Sequence, residues 1–558
     1  LKANLNTYRL LIIITGAFFF FPFLGSTPLF DWDEINFAES AREMIVSGDY
    51  GRVQINFQPF WEKPPLFFWM QVLSMKIFGI NEYAARFPNA VCGIITLLLL
   101  FEFGRKLRDE KFGLMWALTY LGSFLPHIYF KSGIIDPFFN LFIFCAIYFM
   151  AKSAHLYNKS NAAKYVLMAG IFSGLAILTK GPVAVLLIGL TFLIVWANMR
   201  FKKIVSFKHL LLYGFSTLLI SLAWFGYELI KNGPWFINEF IEYQIRLAKG
   251  TEAGHNQPFY YHFIVVFAGC FPMAQLSLQN LFTRNKTVFY ISSFEVWMKC
   301  LFWVVLIVFS LVKTKIIHYS SLTYLPLSFF AALTFYDASI NQQKIKKYIV
   351  NLITLIVSLF ALAFGLLPLV GKNINVIKPY IKDPFAQENM NAEVNWSILD
   401  ALPAVFLISA LTLFLIYRNK SIAQSMFYLY TGVALSIMLF LILVPAKIEK
   451  YTQHAAVEFF SGLKGKDVYV ETLSYKSYAH YFYFARPPLS KQEIINAKDE
   501  NGLYSSQKLR DWYLSGQIDK PVYFSVKNIY LHEYESYKKL KLLYKKNGFA
   551  FLVREPDK

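Results

Sequence analysis

Charge is scarce in this chain. Only 16% of its 558 residues are Asp, Glu, Lys or Arg, against about 25% in ordinary soluble domains. Hydrophobic residues make up 56% of it. That combination argues against a large soluble core and for a polytopic membrane protein. Acids are the scarcer sign, 35 against 55 bases, which leaves a formal net charge of +20. Gathered on one face, such an excess would suit nucleic acid. Much of it lies instead in short connectors between apolar runs, so nucleic acid is not an expected partner. Cysteine is almost absent: Cys92, Cys145, Cys270 and Cys300 sit in or beside apolar runs without metal-type spacing. They read as packing residues, not as a disulfide framework or a zinc centre. A Rossmann glycine pattern, a P-loop and an internal repeat are also missing. The first apolar run lacks a small-residue cleavage site and reads as a retained helix.

What is present is a series of long apolar runs. At roughly 20 apolar residues per membrane helix, about thirteen spans are predicted, near 10–29, 86–104, 112–130, 134–151, 164–180, 182–199, 209–229, 259–279, 291–312, 316–336, 348–370, 400–417 and 424–444. Lys and Arg crowd alternate connectors, for example Arg105, Lys106, Arg108 and Lys111, then Arg200, Lys202, Lys203 and Lys208, then Lys344, Lys346 and Lys347. If these face the cytoplasm, the loops at 30–80, 230–258 and 371–399 are outside, as is everything after about 445. The tail changes character. Asp467–Val470, Pro521–Val526 and Gly548–Val553 have the β-branched and aromatic pattern of strands, and Ser506–Leu514 is polar and helical. The predicted organisation is a transmembrane catalytic part, 1–445, with 30–80 as its first outer loop, followed by a small α/β domain, 446–558.

The densest polar chemistry lies in that first loop. Asp31 precedes a helical pattern, with Glu34 three residues on and Gly48 near its end, the start and stop signals of a capped helix. Phe37, Ala41, Met44 and Ile45 recur at helical spacing, which predicts a helix lying along the membrane surface. Asp33 then falls in the first turn, where the helix dipole favours an ionised carboxylate. Capping and a general base are both open readings. Trp61-Glu62-Lys63-Pro64-Pro65 follows, its prolines denying helix. Lys63 suits a phosphate as a point charge or a Trp-Lys interfacial anchor, and Glu62 could bind a divalent cation.

Further along, Asp136 opens the fourth span at the same outer surface, as a cap or as a functional carboxylate. Lys180, Lys313 and Lys315 are outward positives where inward ones are the rule. Each could snorkel; together they suit an anionic ligand. His255, in the polar loop 250–258, is a surface histidine, a proton carrier or a metal ligand.

These motifs resemble a known family. Asp33-Glu34, Phe37-Ala38-Glu39 and Ala41-Arg42-Glu43-Met44 are similar to its first-loop signature. Phe60-Trp61-Glu62-Lys63-Pro64-Pro65-Leu66, Phe78-Gly79-Ile80-Asn81-Glu82 and Ala85-Arg86-Phe87-Pro88 continue it. Leu178-Thr179-Lys180-Gly181 and Lys315-Ile316-Ile317-His318-Tyr319 resemble later motifs. The family comprises membrane glycosyltransferases that take a sugar from a polyprenyl-phosphate donor, and the likeness is strongest to bacterial aminoarabinosyl transferases of lipid A, relatives of the protein O-mannosyltransferases. Two positions depart from the pattern: Asn36 stands where an arginine is usual, and Ile317 replaces a proline.

The resemblance implies a mainly α GT-C fold of about thirteen transmembrane helices with an extracytoplasmic α/β C-terminal domain. It implies an inverting, metal-assisted sugar transfer at the outer face of a bacterial inner membrane. Asp33 would be the catalytic carboxylate and Lys63 the donor-phosphate lysine. Asp136, Lys180, Lys315, Tyr319 and Glu34 would be substrate contacts. Glu62 and His255 would hold a divalent cation such as zinc. The expected partners are a polyprenyl-phosphate-sugar donor, a lipid or glycan acceptor such as lipid A, and the membrane. A protein hydroxyl is the alternative acceptor. A flippase for lipid-linked sugars is the rival of another class, but it predicts charges spread along a path and internal repeats, whereas the charges here cluster at one surface.

Overall fold

The computed structural model describes residues 5–157, 159, 161–249, 257–283 and 289–556. Its first part is an α-helical bundle: α1 (Leu5–Phe20), α2 (Asp33–Ser47), α3 (Leu66–Phe78), α4 (Glu82–Leu107), α5 (Glu110–Leu121), α6 (Phe124–Tyr129), α7 (Asp136–His155), α8 (Ala162–Lys180), α9 (Val183–Asn198), α10 (Phe207–Asn232), α11 (Trp235–Lys249), α12 (Tyr261–Gly269), α13 (Met273–Leu281), α14 (Phe289–Leu311), α15 (Tyr324–Ser339) and α16 (Lys347–Lys372), then Leu402–Tyr417 and Ile422–Leu443. Twelve of the thirteen predicted spans fall on a helix or a pair of them, whereas the first, 10–29, is helical only as far as Phe20 and continues as turns. Among the described residues, eight helices are long and apolar enough to cross a bilayer, nine if one bent pair counts as a span. That pair is α12 and α13, which meet at 109° where one straight span at 259–279 was predicted. Hydropathy averages over a window and does not register a corner.

Burial separates the inner helices from the outer. In α7 sixteen of twenty residues are buried, and α15 is buried from Tyr324 to Ala338; helices this apolar all round belong to the centre of a bundle. On α10, Leu211, Phe215, Leu218 and Leu222 are exposed, and on α16 Leu355, Leu359, Leu362 and Leu366. Such a stripe of apolar side chains facing outward is what a lipid-facing surface requires. Close packing uses small residues. Gly170 and Gly174 on α8 lie against α10 so tightly that an added Cβ would meet Tyr213 O at 2.7 Å and Ile220 at 2.6 Å, as expected of a small-xxx-small seam.

The first loop is more elaborate than its pattern implied. α2 begins at Asp33, with no side-chain cap, and ends at Gly48 with φ 72°. Asp31 therefore does not cap it. The helix is also not a surface helix: Glu34 to Met44 are all buried, because α3 covers one side and the C-terminal domain the other. Its charges are consequently paired inside. Arg42 donates to both oxygens of Glu39, at 2.7 and 2.6 Å. Glu43 accepts the N–H groups of Asn56 and Phe57, at 2.6 and 2.7 Å. Those two residues form the left-handed turn, φ 55° and 54°, of a hairpin between β1 (Gln54–Ile55) and β2 (Gln58–Pro59).

The tail builds a four-stranded sheet in the order β3 (Tyr469–Leu473), β4 (Val522–Lys527), β6 (Phe549–Arg554), β5 (Leu540–Lys546). β3 and β4 are parallel, the other pairs antiparallel. The three predicted strands are β3, β4 and β6. β5 escaped notice because its residues are largely exposed. It is an edge strand carrying Lys541, Lys545 and Lys546 and an irregular register at Leu542/Tyr544, devices that discourage edge pairing. The domain has a core of its own around Tyr513, Val522 and Phe524, while Phe549 and Phe551 join the core of the bundle.

Candidate active site

The site forms where the ends of α2, α7 and α8 meet the second first-loop cluster. The chain direction dictates this: α7 starts at Asp136 and α8, its antiparallel neighbour, finishes at Lys180. The two residues pair at 2.6 Å. The Lys180 ammonium also lies 5.1 Å from the centre of the Tyr319 ring. His318, on the 3₁₀ turn Ile317–Thr323, points Nε2 between two carboxylates, 3.4 Å from Asp33 and 3.8 Å from Asp136. Only Tyr319 of this dipeptide stood among the expected contacts. The missed signal was the histidine beside it.

Accessibility divides the two acids. The Asp33 side chain is 39% exposed and that of Asp136 only 4%. Asp33 can therefore reach an incoming molecule, whereas Asp136 is committed to Lys180. Asp33 also sits at the first position of α2, where the free N–H groups and dipole sustain a carboxylate.

Lys63 stands on the other side. Its ammonium is 5.2 Å from the centre of the Tyr243 ring, and Tyr243 donates to Glu62 Oε2 at 2.8 Å. Burial pushes the Lys63 ammonium below the ordinary lysine range. Glu62, Asp33 and Asp136 pull the other way, while Lys180 adds to the repulsion. Two lysines and three carboxylates thus share one field. Tyr243 and Trp235, whose ring meets Trp61 edge-on at 5.4 Å, come from α11, a helix inside the stretch 230–258 that the apolar pattern predicts as an outer loop.

Two expected contacts are placed elsewhere. Glu34 is buried and accepts from Arg86 Nε at 3.0 Å, Arg86 Nη2 at 2.7 Å, Phe30 N–H at 3.0 Å and Gly133 N–H at 2.5 Å. Both of its oxygens are committed, so it is a tie between segments and not a substrate contact. Burial raises its carboxyl, but Arg86 and the two N–H groups outweigh that and hold it below the usual range. Arg86 spends its remaining donors on the carbonyls of Leu24, Thr27 and Pro28. Lys315 is 6% exposed and donates to Val312 O at 2.8 Å, an end of helix α14 and not the lysine–carboxylate cluster. For a metal, Glu62 offers a single carboxylate. Among the described residues no three His, Cys, Asp or Glu side chains gather in a ligand geometry. His255 lies outside the described residues. The described side chains do not make a metal centre by themselves.

The C-terminal domain closes the site from above. Asp31 accepts from the Ser477 hydroxyl and, at 3.3 Å, from the Tyr478 N–H. The Leu29 N–H donates to Tyr483 Oη at 2.7 Å, and Arg42 Nη2 to Arg486 O at 2.8 Å. None of these tail residues could be paired with the first loop from sequence, because more than 400 positions separate them.

The whole fold resembles that of ArnT from Cupriavidus metallidurans, solved bound to undecaprenyl phosphate. The TM-score is 0.78 and the identity 16%, over 99% of this chain and 98% of that one. The class is therefore a GT-C membrane protein with an α/β C-terminal domain. In sequence, an undecaprenyl phosphate-alpha-4-amino-4-deoxy-L-arabinose arabinosyl transferase of Proteus mirabilis is 28% identical over 342 residues, 58% of each chain. An uncharacterized protein of Aquifex aeolicus is 30% identical over 320 residues, 57% of this chain and 70% of that one. The chain thus spans under two thirds of the length of the arabinosyl transferases it matches. The model of the dolichyl-phosphate-mannose-protein mannosyltransferase family matches residues 62–224, which include Lys63, Asp136 and Lys180. The chain belongs to the polyprenyl-phosphate-dependent membrane glycosyltransferases.

Proposed function

We propose that this chain transfers a sugar from a polyprenyl-phosphate donor to an acceptor at the periplasmic face of the inner membrane, with lipid A the favoured acceptor class. The observation that carries the reading is the accessible Asp33 facing Lys63, Lys180 and His318 at one end of the bundle. Asp33 takes the proton of an acceptor hydroxyl, or orients an acceptor phosphate oxygen, as that oxygen attacks the anomeric carbon. The bond from that carbon to the donor phosphate breaks, and the configuration inverts. Charge accumulates on the departing polyprenyl phosphate, where Lys63 and Lys180 meet it, fixed before the reaction begins. Asp136 holds Lys180 in place, and His318 spans the two carboxylates. No nucleotide enters, in keeping with a sequence lacking a phosphate-cradling glycine loop.

The arabinosyl-transferase relatives support an undecaprenyl-phosphate sugar as the donor, while the mannosyltransferase model over 62–224 supports a protein acceptor as the second reading. The test is transfer from radiolabelled polyprenyl-phosphate sugars to either acceptor by the purified protein in lipid. Asp33→Asn should lower the rate about 10²–10⁴-fold, the usual worth of a positioned base. Its melting temperature should stay at the wild-type value, because Asp33 is half-exposed. Undiminished transfer by the variant would remove Asp33 as the base.

A further inference from the structure

The C-terminal domain does more at this site than cover it. Beyond β3 its chain runs through Lys476, Ser477 and Tyr478 and lies against the residues just ahead of Asp33. The buried Tyr478 ring meets Trp32 edge-on at 5.8 Å. Its hydroxyl lies within the field of Glu62, Asp31 and Asp33. Asp31 pins the segment through the Ser477 hydroxyl and the Tyr478 N–H. Lys476 is exposed, with its ammonium 4.3 Å from the centre of the Trp32 ring and 5.8 Å from that of Tyr478. Trp32 is itself 41% exposed and directly precedes Asp33. A cation on an aromatic face, held beside the accessible carboxylate by a neighbouring clamp, is a built contact point and not a stray surface charge.

We propose that Lys476 and Trp32 form the acceptor side of the active site, taking a phosphate group of an anionic glycolipid headgroup, with Asp31 as the residue that positions the Lys476–Tyr478 segment. This rests on the transfer reading above. Cationic contacts then lie on both sides of Asp33. Lys63 belongs to the first loop beside α11 and suits a donor whose polyprenyl chain keeps its phosphate at the bilayer surface. Lys476 belongs to the domain stacked on that loop and suits a headgroup phosphate. The Trp32 face keeps the ammonium at its post without neutralising it, so its charge stays available to an anion.

The experiment uses the full-length protein in lipid, with one polyprenyl-phosphate-sugar donor and two acceptors, a phosphorylated glycolipid and the same molecule with that phosphate removed. Wild type should prefer the phosphorylated acceptor. Lys476→Ala should raise KM for that acceptor about 10-fold, as loss of one charged hydrogen bond implies, and Lys476→Glu should raise it further. Neither change should move KM for the donor or for the dephosphorylated acceptor, and Lys476→Arg should restore the wild-type value. Because Lys476 is exposed, the variants should melt with wild type, which a thermal scan checks. Equal KM values in wild type and Lys476→Glu, no preference for the phosphorylated acceptor, or transfer to a protein hydroxyl untouched by these variants would each overturn the assignment. A wild-type protein that transfers no sugar to any acceptor would instead overturn the function it rests on.

Discussion

Replacing Glu34 by Gln separates a structural carboxylate from a catalytic one. The change is isosteric, yet it sets an NH₂ group where donors already point. Oε1 accepts from Arg86 Nε and the Gly133 N–H, and Oε2 from Arg86 Nη2 and the Phe30 N–H. Whichever oxygen becomes nitrogen, two of these bonds are lost. The guanidinium of Arg86, 5% exposed against 6% for its partner, is left without a countercharge. Breaking a buried pair in this way costs about 3–5 kcal/mol. At about 2–4 °C per kcal/mol, the melting temperature of the protein in detergent should fall on the order of 10 °C. Arg86→Lys should fare no better, since one ammonium cannot replace donors that also hold the carbonyls of Leu24, Thr27 and Pro28. Both melts are read by intrinsic fluorescence beside Asp33→Asn, which should keep wild-type stability. A Glu34→Gln protein that melts with wild type but no longer binds polyprenyl phosphate would refute the reasoning and return Glu34 to the substrate contacts.

Two further outcomes follow from the charges around the site. The Lys63 ammonium, held below the ordinary lysine value of 10.5 by burial, loses its proton earlier than a free lysine as pH rises. Activity should therefore decline on the alkaline side below pH 10.5. Lys63→Arg, charged throughout, should push that decline upward if it retains measurable transfer; an unmoved alkaline limb would count against Lys63 as the phosphate contact. Asp31 is raised from 3.8 to about 6, chiefly by burial, against the pull of Ser477 and Tyr478. The folded protein thus holds this proton more tightly than the unfolded chain. Its contribution is full below pH 3.8 and is lost as pH rises through about 6, at most about 3 kcal/mol. Hydrogen exchange in residues 474–482 should quicken relative to intrinsic rates between pH 5 and 8 in wild type and stay level in Asp31→Asn. Parallel profiles would dismiss the clamp.

The helices were legible because a bilayer demands long apolar runs, and those runs survive in one dimension. The polar residues of the site were legible for the complementary reason, since Asp33, Lys63, Asp136 and Lys180 are conspicuous in a chain so poor in charge. Their roles were not. Asp33 and Glu34 are neighbours with the same chemistry, and pattern alone made both substrate-facing. A helix turn of about 100° per residue sends one toward the opening and the other into the interior, where Arg86 waits 52 positions further along. Asp31 was read as a cap because a cap is the local use of such a residue. It went instead to Ser477, since the folded tail offers a hydroxyl and an N–H that the sequence cannot place beside it. The sequence by itself determined what must lie in the membrane and which side chains were chemically fit to act. Only the tertiary structure decided which of those side chains are spent on one another, because hydrogen bonds are short-ranged and directional and the partners come from distant segments.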